Sequence, residues 1–554
     1  MKTRDLARPV AFLHRSRAGR ALAWVLFACA AAAIGIALHL GLPSIPDRDG
    51  LYHFRHAALY VERGPFSSAF PWTAYSVISS YASDIWYGFH LLLTPFTLGA
   101  DPVRGVKLAG AFDLAAMLVL LFAAVRVARM RLTGLWPFAV LAFSPFLLYR
   151  LLMTRPHVIS MGLAALVLTS AATGSLWGLG LASFGIAFIH LSFLWVVVLI
   201  VGVVVLVRRV TEEQWAWREP GIASLGLLAG WLLRPNPIGA AKLVYVQIVQ
   251  LALEKQKGVE LLFGADLLSG ARSLQQYPET FMQHLGPASI LWAASAVVLL
   301  SAAMYGSKLV GCERTLLWSS FVLSAIAFVM MMQVSIRAMD LWAVFAVLLA
   351  AGVYSFILTR RESVEDQFPT KGQARAAMLI GALLLALMFW RGFSEYDTKM
   401  TKLGYSASRF KGAATWLAQH SAPGAIVFHA HWDLFPDLFF WNTKDYYIGG
   451  MDPIFQYAYS PSLYWKAHHL WSGQFSSYTC GTEACLPQMG EDTYTVLTRD
   501  FKASFLVLEK RRYPALYAYA SSDPRFHLGF EDADVIVFRL DSGRSLPGKA
   551  SGPT

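Results

Sequence analysis

Runs of apolar residues, each close to the length of a bilayer span, recur along this chain from residue 21 to residue 392. A helix needs about 20 such residues to cross the hydrocarbon core of a membrane. Only 15% of the residues are charged and 56% are hydrophobic, with a mean hydropathy of +0.47. Soluble domains average about 25% charged residues. The sequence therefore predicts a polytopic α-helical membrane protein.

Clusters of basic residues set the direction of these runs, because cytoplasmic loops are rich in Lys and Arg. The clusters "RVARMR" and "RRVTEEQWAWR" fall on one side of the membrane, together with Arg314 and Arg360, if the N-terminus is cytoplasmic. This places the chain in the plasma (inner) membrane with its C-terminus outside. About eleven spans are predicted, at 21–42, 105–126, 133–150, 157–174, two short helices within 176–207 broken near His190, 220–234, 286–306, 315–334, 338–358 and 374–391.

Two long segments between the spans are predicted to lie outside the membrane. The first outer loop covers 43–104 and contains a short apolar stretch, 85–100, which we interpret as a juxtamembrane helix on the outer face. The second outer loop covers 238–285. Both belong to a transmembrane domain at 1–392.

From residue 393 the composition changes, and short β-type runs such as "AIVFHA" and "DVIVFRL" alternate with helical patterns. This predicts an extracytoplasmic α/β domain at 393–540, followed by a disordered tail at 541–554. Cys480 and Cys485 in "CGTEAC" are spaced for a disulfide in an oxidising compartment. A zinc site is the alternative, although no second Cys pair exists to complete it.

The stretch "PDRDGLYHFRHA" (46–57), directly after the first span, contains unusually many polar residues. Asp47 and Asp49 are followed by His53 and Arg55, and Asp84 lies further along the same aromatic-rich loop. A solvated loop with an N-cap aspartate is the simplest interpretation. A long outer loop with aromatic residues and few carboxylates is also typical of a binding or catalytic site.

An aspartate after the first span, followed by "GLYHFR", resembles the GT-C-fold glycosyltransferases, which include oligosaccharyltransferase catalytic subunits and protein O-mannosyltransferases. The resemblance extends to the long first loop, the span count and the C-terminal domain. It implies a sugar donor carried on a polyprenyl phosphate. It also implies that Asp49 is the essential aspartate, with Asp47 as the second choice and Asp84 as a second carboxylate. Trp432 and Asp433 resemble an acceptor-binding Trp-Asp motif; a strand-to-helix turn capped by Asp433 is the alternative.

The chemistry of such a transfer indicates which other residues to consider. The acceptor needs a base, and the departing phosphate needs positive charge. Arg155 and Arg337 are predicted at outer helix ends, against the usual charge bias, where each could bind phosphate or simply anchor its helix. Asp49 and Asp84, with His53 and His157, could hold a divalent cation such as Mg²⁺ or Mn²⁺.

The sequence therefore favours an integral membrane glycosyltransferase, inverting at the anomeric carbon, that uses a polyprenyl-phosphate-linked sugar among membrane lipids. Two alternatives remain open: a transporter or flippase of lipid-linked sugars, and a non-catalytic subunit of an envelope polysaccharide assembly complex. The net charge of +12 does not indicate nucleic-acid binding. The basic residues lie at helix ends, and no soluble segment carries a basic stripe interleaved with aromatic residues.

Overall fold

The computed structural model describes residues 17–213, 215–259, 288–304, 311–363, 405–473 and 475–540, together with 261, 285, 383, 386–387, 389–395 and 397–398. The helices of the first part are α1 (Arg17–Leu40), α2 (Asp49–Arg63), α3 (Val77–Tyr81), α4 (Tyr87–Leu93), α5 (Pro102–Val127), α6 (Trp136–Leu141), α7 (Pro145–Leu151), α8 (Pro156–Thr173), α9 (Leu176–Ile189), α10 (Leu194–Glu212), α11 (Arg218–Leu232), α12 (Pro237–Val244), α13 (Leu251–Gln256), α14 (Ala288–Met304), α15 (Gly311–Gln333) and α16 (Met339–Ser363).

The C-terminal part mixes helices with strands. In chain order its elements are α17 (Lys411–His420), β1 (Ile426–His429), α18 (Phe435–Trp441), β2 (Tyr446–Tyr447), α19 (Pro453–Tyr459), α20 (Pro461–Trp471), β3 (Tyr478–Thr479), β4 (Glu491–Asp492), α21 (Thr493–Thr495), β5 (Ala503–Glu509), α22 (Pro514–Ser522), β6 (Phe526–Glu531) and β7 (Val535–Leu540). The predicted tail at 541–554 lies outside the described residues.

Among the described residues, six helices are long and apolar enough to cross a membrane. They include α1, α5, α8 and α15, together with the segments Leu191–Glu212 and Ile336–Leu358. Two shorter apolar helices, Leu176–Ile189 and Ser289–Ser301, lie among them. The prediction of a multi-pass helical membrane protein is confirmed. The count of eleven spans stays a prediction, and most of the span at 374–391 lies outside the described residues.

Two predicted spans differ from the structure. The span at 133–150 is two short helices, α6 and α7, and the prediction of one helix was wrong. The hydroxyl of Ser144 accepts a hydrogen bond from the backbone N–H of Leu147, and Pro145 has no N–H to continue the preceding helix. The span at 220–234 is the 15-residue α11. By contrast, the break at His190 between α9 and α10 is confirmed.

The chain divides into two compact units. Unit 1 comprises Met1–Gly50, Trp86–Arg234 and Gly264–Gly404, and unit 2 comprises Leu51–Ile85, Pro235–Phe263 and Tyr405–Thr554. Unit 1 contains the long apolar helices. Unit 2 combines the C-terminal region with stretches of both predicted outer loops, and the predicted boundary at 392 lies close to undescribed residues.

Unit 2 is built on a five-stranded sheet in the order β2-β1-β5-β7-β6. β1 is parallel to both β2 and β5, whereas β7 is antiparallel to β5 and β6. The first outer loop extends this sheet, because Thr73 pairs with Tyr447 at the β2 edge. The C-terminal α/β domain is therefore confirmed. Its disulfide is confirmed too, since Cys480 is bonded to Cys485.

Candidate active site

Two aspartates in unit 1 share one guanidinium group after the end of α1. Arg155 donates from Nε and Nη2 to the two carboxylate oxygens of Asp47, each at 2.5 Å. The same Nη2 lies 2.9 Å from Oδ2 of Asp49. The side chains of Arg155, Asp47 and Asp49 are 20%, 9% and 17% exposed. The structure thus brings together three of the residues that the sequence predicted for the site.

Local structure explains why these side chains converge. Asp49 is the first residue of α2, where a carboxylate is favoured by the positive end of the helix dipole. Arg155 precedes Pro156 and has an extended backbone at the N-terminus of α8. A residue before proline is disfavoured in the helical region. Because its backbone is extended, Arg155 projects away from α8 and not along it.

Polar contacts inside unit 1 also hold the segment that leads from α1 to Asp47. Lys107 of α5 donates from Nζ to the carbonyl of Leu42 and to that of Pro43, the second at 3.3 Å. The ring of His39 lies 3.2 Å from the carbonyl oxygen of Leu152. The α1 terminus has backbone carbonyls that need such donors. A small cavity opens beside this segment, lined by Leu38, His39, Leu42, Ser44, Ile45, Pro46, Asp47, Val106, Lys107, Leu152 and Thr154.

This arrangement suits a reaction that needs both a base and positive charge. The two carboxylates and the guanidinium carry a combined formal charge of −1, so one carboxylate charge is not neutralised within the trio. Asp47 uses both oxygens on Arg155, whereas Asp49 contributes one. Asp47 is therefore well suited to hold Arg155 in position.

Two other residues predicted for the site, His157 and Arg337, also belong to unit 1. His157 follows Arg155 by two positions, but its Nε2 lies 3.1 Å from the carbonyl oxygen of Arg150 and the residue is buried. Arg337 lies in a short 3-10 helix, Ile336–Ala338, and is half-buried.

The remaining loop residues belong to unit 2. Arg55 is bound to Glu62 at 2.7 Å and to the hydroxyl of Thr443 at 3.2 Å. His53 is buried, with 2% of its surface exposed. Asp84 accepts a hydrogen bond from the hydroxyl of Tyr60 at 2.7 Å. These side chains serve the packing of the first loop within unit 2, and sequence reasoning alone did not anticipate how deeply they lie.

A buried histidine–carboxylate pair is the feature of unit 2 that could contribute to a metal site. Nε2 of His56 lies 3.8 Å from Oδ2 of Asp84, and both side chains are less than a tenth exposed. Both are potential ligands in a group able to hold a metal ion. An imidazole with a carboxylate suits Mn²⁺ or Zn²⁺ better than Mg²⁺, which prefers oxygen ligands. Asp49, the other predicted ligand, belongs to unit 1.

Trp432 and Asp433 form a short 3-10 helix, Trp432–Leu434, directly after β1. The cap of this turn is His431, whose ring nitrogen accepts the N–H of Asp433 at 3.2 Å, so the expectation that Asp433 is the cap was wrong. The carboxylate of Asp433 instead accepts two hydrogen bonds from Arg512, each at 3.0 Å. Arg512 follows β5, so the carboxyl ends of two adjacent parallel strands supply this pair.

Sequence reasoning missed a buried ion pair in unit 1. Arg150 of α7 donates from Nε and Nη2 to the two oxygens of Asp340 in α16, at 2.7 and 2.6 Å. Their side chains are only 5% and 7% exposed. The available signal was a charge within each of the apolar stretches "FLLYRLL" and "RAMDLW". Ionisable residues inside membrane segments usually pair with one another.

Comparison with solved structures identifies the fold. ArnT from Cupriavidus metallidurans in the apo state matches with a TM-score of 0.53 and 15% sequence identity, over 96% of this chain and 100% of that chain. The same protein bound to undecaprenyl phosphate matches with a TM-score of 0.51 and 15% identity, over 94% and 98%. No protein-family model and no curated protein matches the chain. The predicted GT-C fold is confirmed.

Proposed function

We propose that this GT-C-fold protein is a membrane glycosyltransferase that moves a sugar from a polyprenyl-phosphate carrier to an acceptor on the extracytoplasmic face. The observation that carries the proposal is the Asp47–Arg155–Asp49 cluster directly after the first span. The fold supports it, since a solved structure of the same fold contains undecaprenyl phosphate. The proposed location is the inner membrane, with the N-terminus in the cytoplasm and the C-terminal domain outside.

In the proposed reaction Asp49 is the base. It takes the proton from the acceptor as the acceptor atom attacks the anomeric carbon. The bond from that carbon to the phosphate oxygen breaks, and the phosphate leaves with the electron pair, which inverts the anomeric centre. A phosphate leaving group needs positive charge nearby more than it needs an acid. Arg155 and Arg337 are the proposed sources of that charge, and Asp47 keeps Arg155 in place.

The other predicted residues take supporting roles in this proposal. Trp432 and Asp433, with Arg512 bound to Asp433, are proposed to contribute to acceptor binding. His157 would shape the donor site through the packing of α8, and His53 and Arg55 would contribute to substrate binding within unit 2. His56 and Asp84 would hold a divalent cation within unit 2, Mn²⁺ in preference to Mg²⁺.

A flippase of lipid-linked sugars is the second candidate, and one observation favours it. Transporters place ionisable groups within the membrane. Arg150 and Asp340 form such a pair, and Asp113 of α5 is fully buried, with neither carboxylate oxygen hydrogen-bonded. A flippase would tolerate loss of the base at Asp49. A glycosyltransferase would not.

The experiment that separates the two candidates is a profile of lipid-linked sugars and sugar-modified products in cells that lack the protein. Wild-type protein and Asp49→Asn are then each restored at equal expression. A glycosyltransferase predicts that the donor accumulates, that the product disappears, and that only the wild type restores the product. Full restoration by Asp49→Asn would overturn the assignment of Asp49 as base. Transfer by purified wild-type protein in detergent, where no leaflet exists, would exclude a flippase.

A further inference from the structure

Two neighbouring helices of unit 1 are much shorter than the spans beside them. α9 has 14 residues and α11 has 15, or about 21 and 22 Å at 1.5 Å per residue. The hydrocarbon core of a bilayer is about 30 Å thick. α1 and α5 have 24 and 26 residues. α9 and α11 are in close contact, because a Cβ on Gly226 or Gly230 would meet the carbonyl oxygens of Gly180 and Phe184.

α9 and α11 are short at one end of unit 1. This is the end at which Arg155 begins α8, and we call it the site end. At the opposite end α8 and α9 are joined by a tight turn at Gly174, so they are level there. At the site end, His190 follows α9, and its Nδ1 lies 3.2 Å from the hydroxyl of Ser160. α9 therefore stops about one turn short of the start of α8. Arg234, after α11, donates to the carbonyl of Ala187, so α11 ends level with α9.

Contacts along α5 give the size of the step. The ring of His39, near the end of α1, lies against Gly110 of α5. Further along α5, Met117 lies against Gly162 of α8. Gly162 is two residues beyond Ser160, whose hydroxyl is bonded to His190. His190 is therefore level with roughly residue 115 of α5. The ring of His39 is about five residues, or about 8 Å, above that level, and Leu40, the last residue of α1, is higher still.

The surface beside this step is suited to lipid. Leu225 of α11 is 64% exposed, and Leu233, directly after that helix, is 62% exposed. Leu181 of α9 is 67% exposed. α4 crosses the site end of α9, because a Cβ on Gly88 would meet the carbonyl oxygen of Phe188. The segment that follows α4 carries another exposed apolar side chain, Leu98, at 71%. Apolar side chains thus continue to the short ends of α9 and α11 and along the crossing segment.

We propose that the protein thins the membrane leaflet at the site end beside α9 and α11, so that lipid head groups there lie at least about 8 Å lower than beside α1. In a flat bilayer the charge of Arg234, which donates to the carbonyls of Ala187, Gly230 and Trp231, would lie at the depth of the hydrocarbon, where charged side chains are costly. Local thinning of a bilayer around a short hydrophobic segment costs much less per ångström. One consequence, which rests on the proposed function, is that a donor phosphate could approach the first turn of α8 from the side.

The test measures the depth of labels in the membrane and requires no transfer assay. Cys29 and Cys312, the free cysteines, are replaced by Ala, and the disulfide is retained. A nitroxide is attached to Leu233→Cys, Leu40→Cys or Ile36→Cys in full-length protein. These positions are 62%, 37% and 44% exposed. The proteins are placed in dioleoylphosphatidylcholine vesicles, and depth is read from accessibility to oxygen and to a water-soluble nickel chelate.

Thinning predicts equal depths for the labels at Leu233 and Leu40, despite their difference in height along the helices. The label at Ile36 is the matched control and should lie about 6 Å deeper than that at Leu40, because it is four residues earlier in α1. A label at Leu233 at least about 8 Å deeper than that at Leu40 would show a flat bilayer and overturn the proposal. The result is independent of activity, so it stands or fails separately from the glycosyltransferase assignment.

Discussion

Arg155 binds Asp47 through two parallel hydrogen bonds of 2.5 Å, one to each carboxylate oxygen. Bidentate pairs of this kind fix the relative orientation of both side chains. The two residues are 108 positions apart in the chain, so the contact ties the segment after α1 to the start of α8. Asp49 reaches the same guanidinium at 2.9 Å with one oxygen. This difference between the two aspartates leads to opposite expectations for their substitution.

Substitution of Asp49 should remove activity and lower stability less than substitution of Asp47 does, because Asp49 contributes one carboxylate oxygen to Arg155 and Asp47 contributes two. Asp49→Asn keeps the size of the side chain but cannot accept a proton, and loss of a general base typically costs about 10²–10⁴-fold in rate. Asp47→Asn should instead destabilise the protein, because charge-assisted hydrogen bonds contribute about 1.5–3 kcal/mol. The measurements are the transfer rate and thermal unfolding, at equal expression. Normal transfer by Asp49→Asn with complete loss in Asp47→Asn would assign the base to Asp47.

Arg155 should not be replaceable by lysine. Lysine keeps the charge but lacks the fork that reaches Asp47 and Asp49 together. We expect Arg155→Lys to lower the transfer rate by about 10- to 100-fold, the equivalent of one charge-assisted hydrogen bond. Arg104→Lys is the matched control, because Arg104 is exposed and begins α5 without contributing to the cluster. Equal rates for the two variants would show that a single positive charge is sufficient.

The pair Arg150–Asp340 should show strong coupling. Removing one partner leaves a buried charge, which typically costs about 3–5 kcal/mol, whereas replacing both partners by apolar residues is often neutral. Arg150→Met and Asp340→Leu should each lower the unfolding temperature in detergent, and the double variant should recover most of the loss. Additive losses in the double variant would mean that the two residues act independently.

Acid should weaken the core of unit 2 through His429. Burial lowers the pKa of His429 to about 4, from an ordinary 6.5, although its two carbonyl partners oppose that shift. The unfolded chain binds a proton at His429 as the pH falls below 6.5, whereas the folded chain resists until about pH 4. Stability is therefore lost between those values, by about 3 kcal/mol in total.

Hydrogen exchange of β1 in the full-length protein measures this loss. His429→Leu should reduce the pH dependence between 6.5 and 4 but not abolish it, because burial also lowers the pKa of His468 in α20 to about 4. His420→Gln is the control, because His420 is exposed and should leave the dependence intact. An unchanged slope in His429→Leu would assign the acid sensitivity to other groups.

Reporter fusions test the direction of the chain through the membrane. The basic clusters predict that a fusion at residue 400 reports outside and that fusions within 361–372 report inside. An oxidising compartment for unit 2 is also expected from the Cys480–Cys485 disulfide. Matching signals from the two fusions would contradict the eleven-span arrangement and the proposed location of the C-terminal domain.

Several features of the molecule follow from the sequence because their causes are local. Apolar runs predicted a multi-pass helical protein, although not the two short helices within 133–150, and the excess length of 176–207 predicted the break near His190 between α9 and α10. The alternation of short β-type and helical patterns predicted the α/β domain, and the spacing in "CGTEAC" predicted its disulfide. The position of Asp49 after the first span was likewise visible, because it depends only on where that span ends.

Only the tertiary structure decided which distant side chains meet. Asp47 and Arg155, Arg150 and Asp340, and Asp433 and Arg512 are each separated by many residues, and no local pattern encodes such pairs. The sequence did not reveal which side chains are buried either. His53 and Arg55 lie in a polar stretch that suggests a solvated loop, yet His53 is buried and Arg55 donates to Thr443 within unit 2. A side chain's partner depends on helix lengths and crossings over the whole chain, whereas its secondary structure depends mainly on its neighbours in sequence.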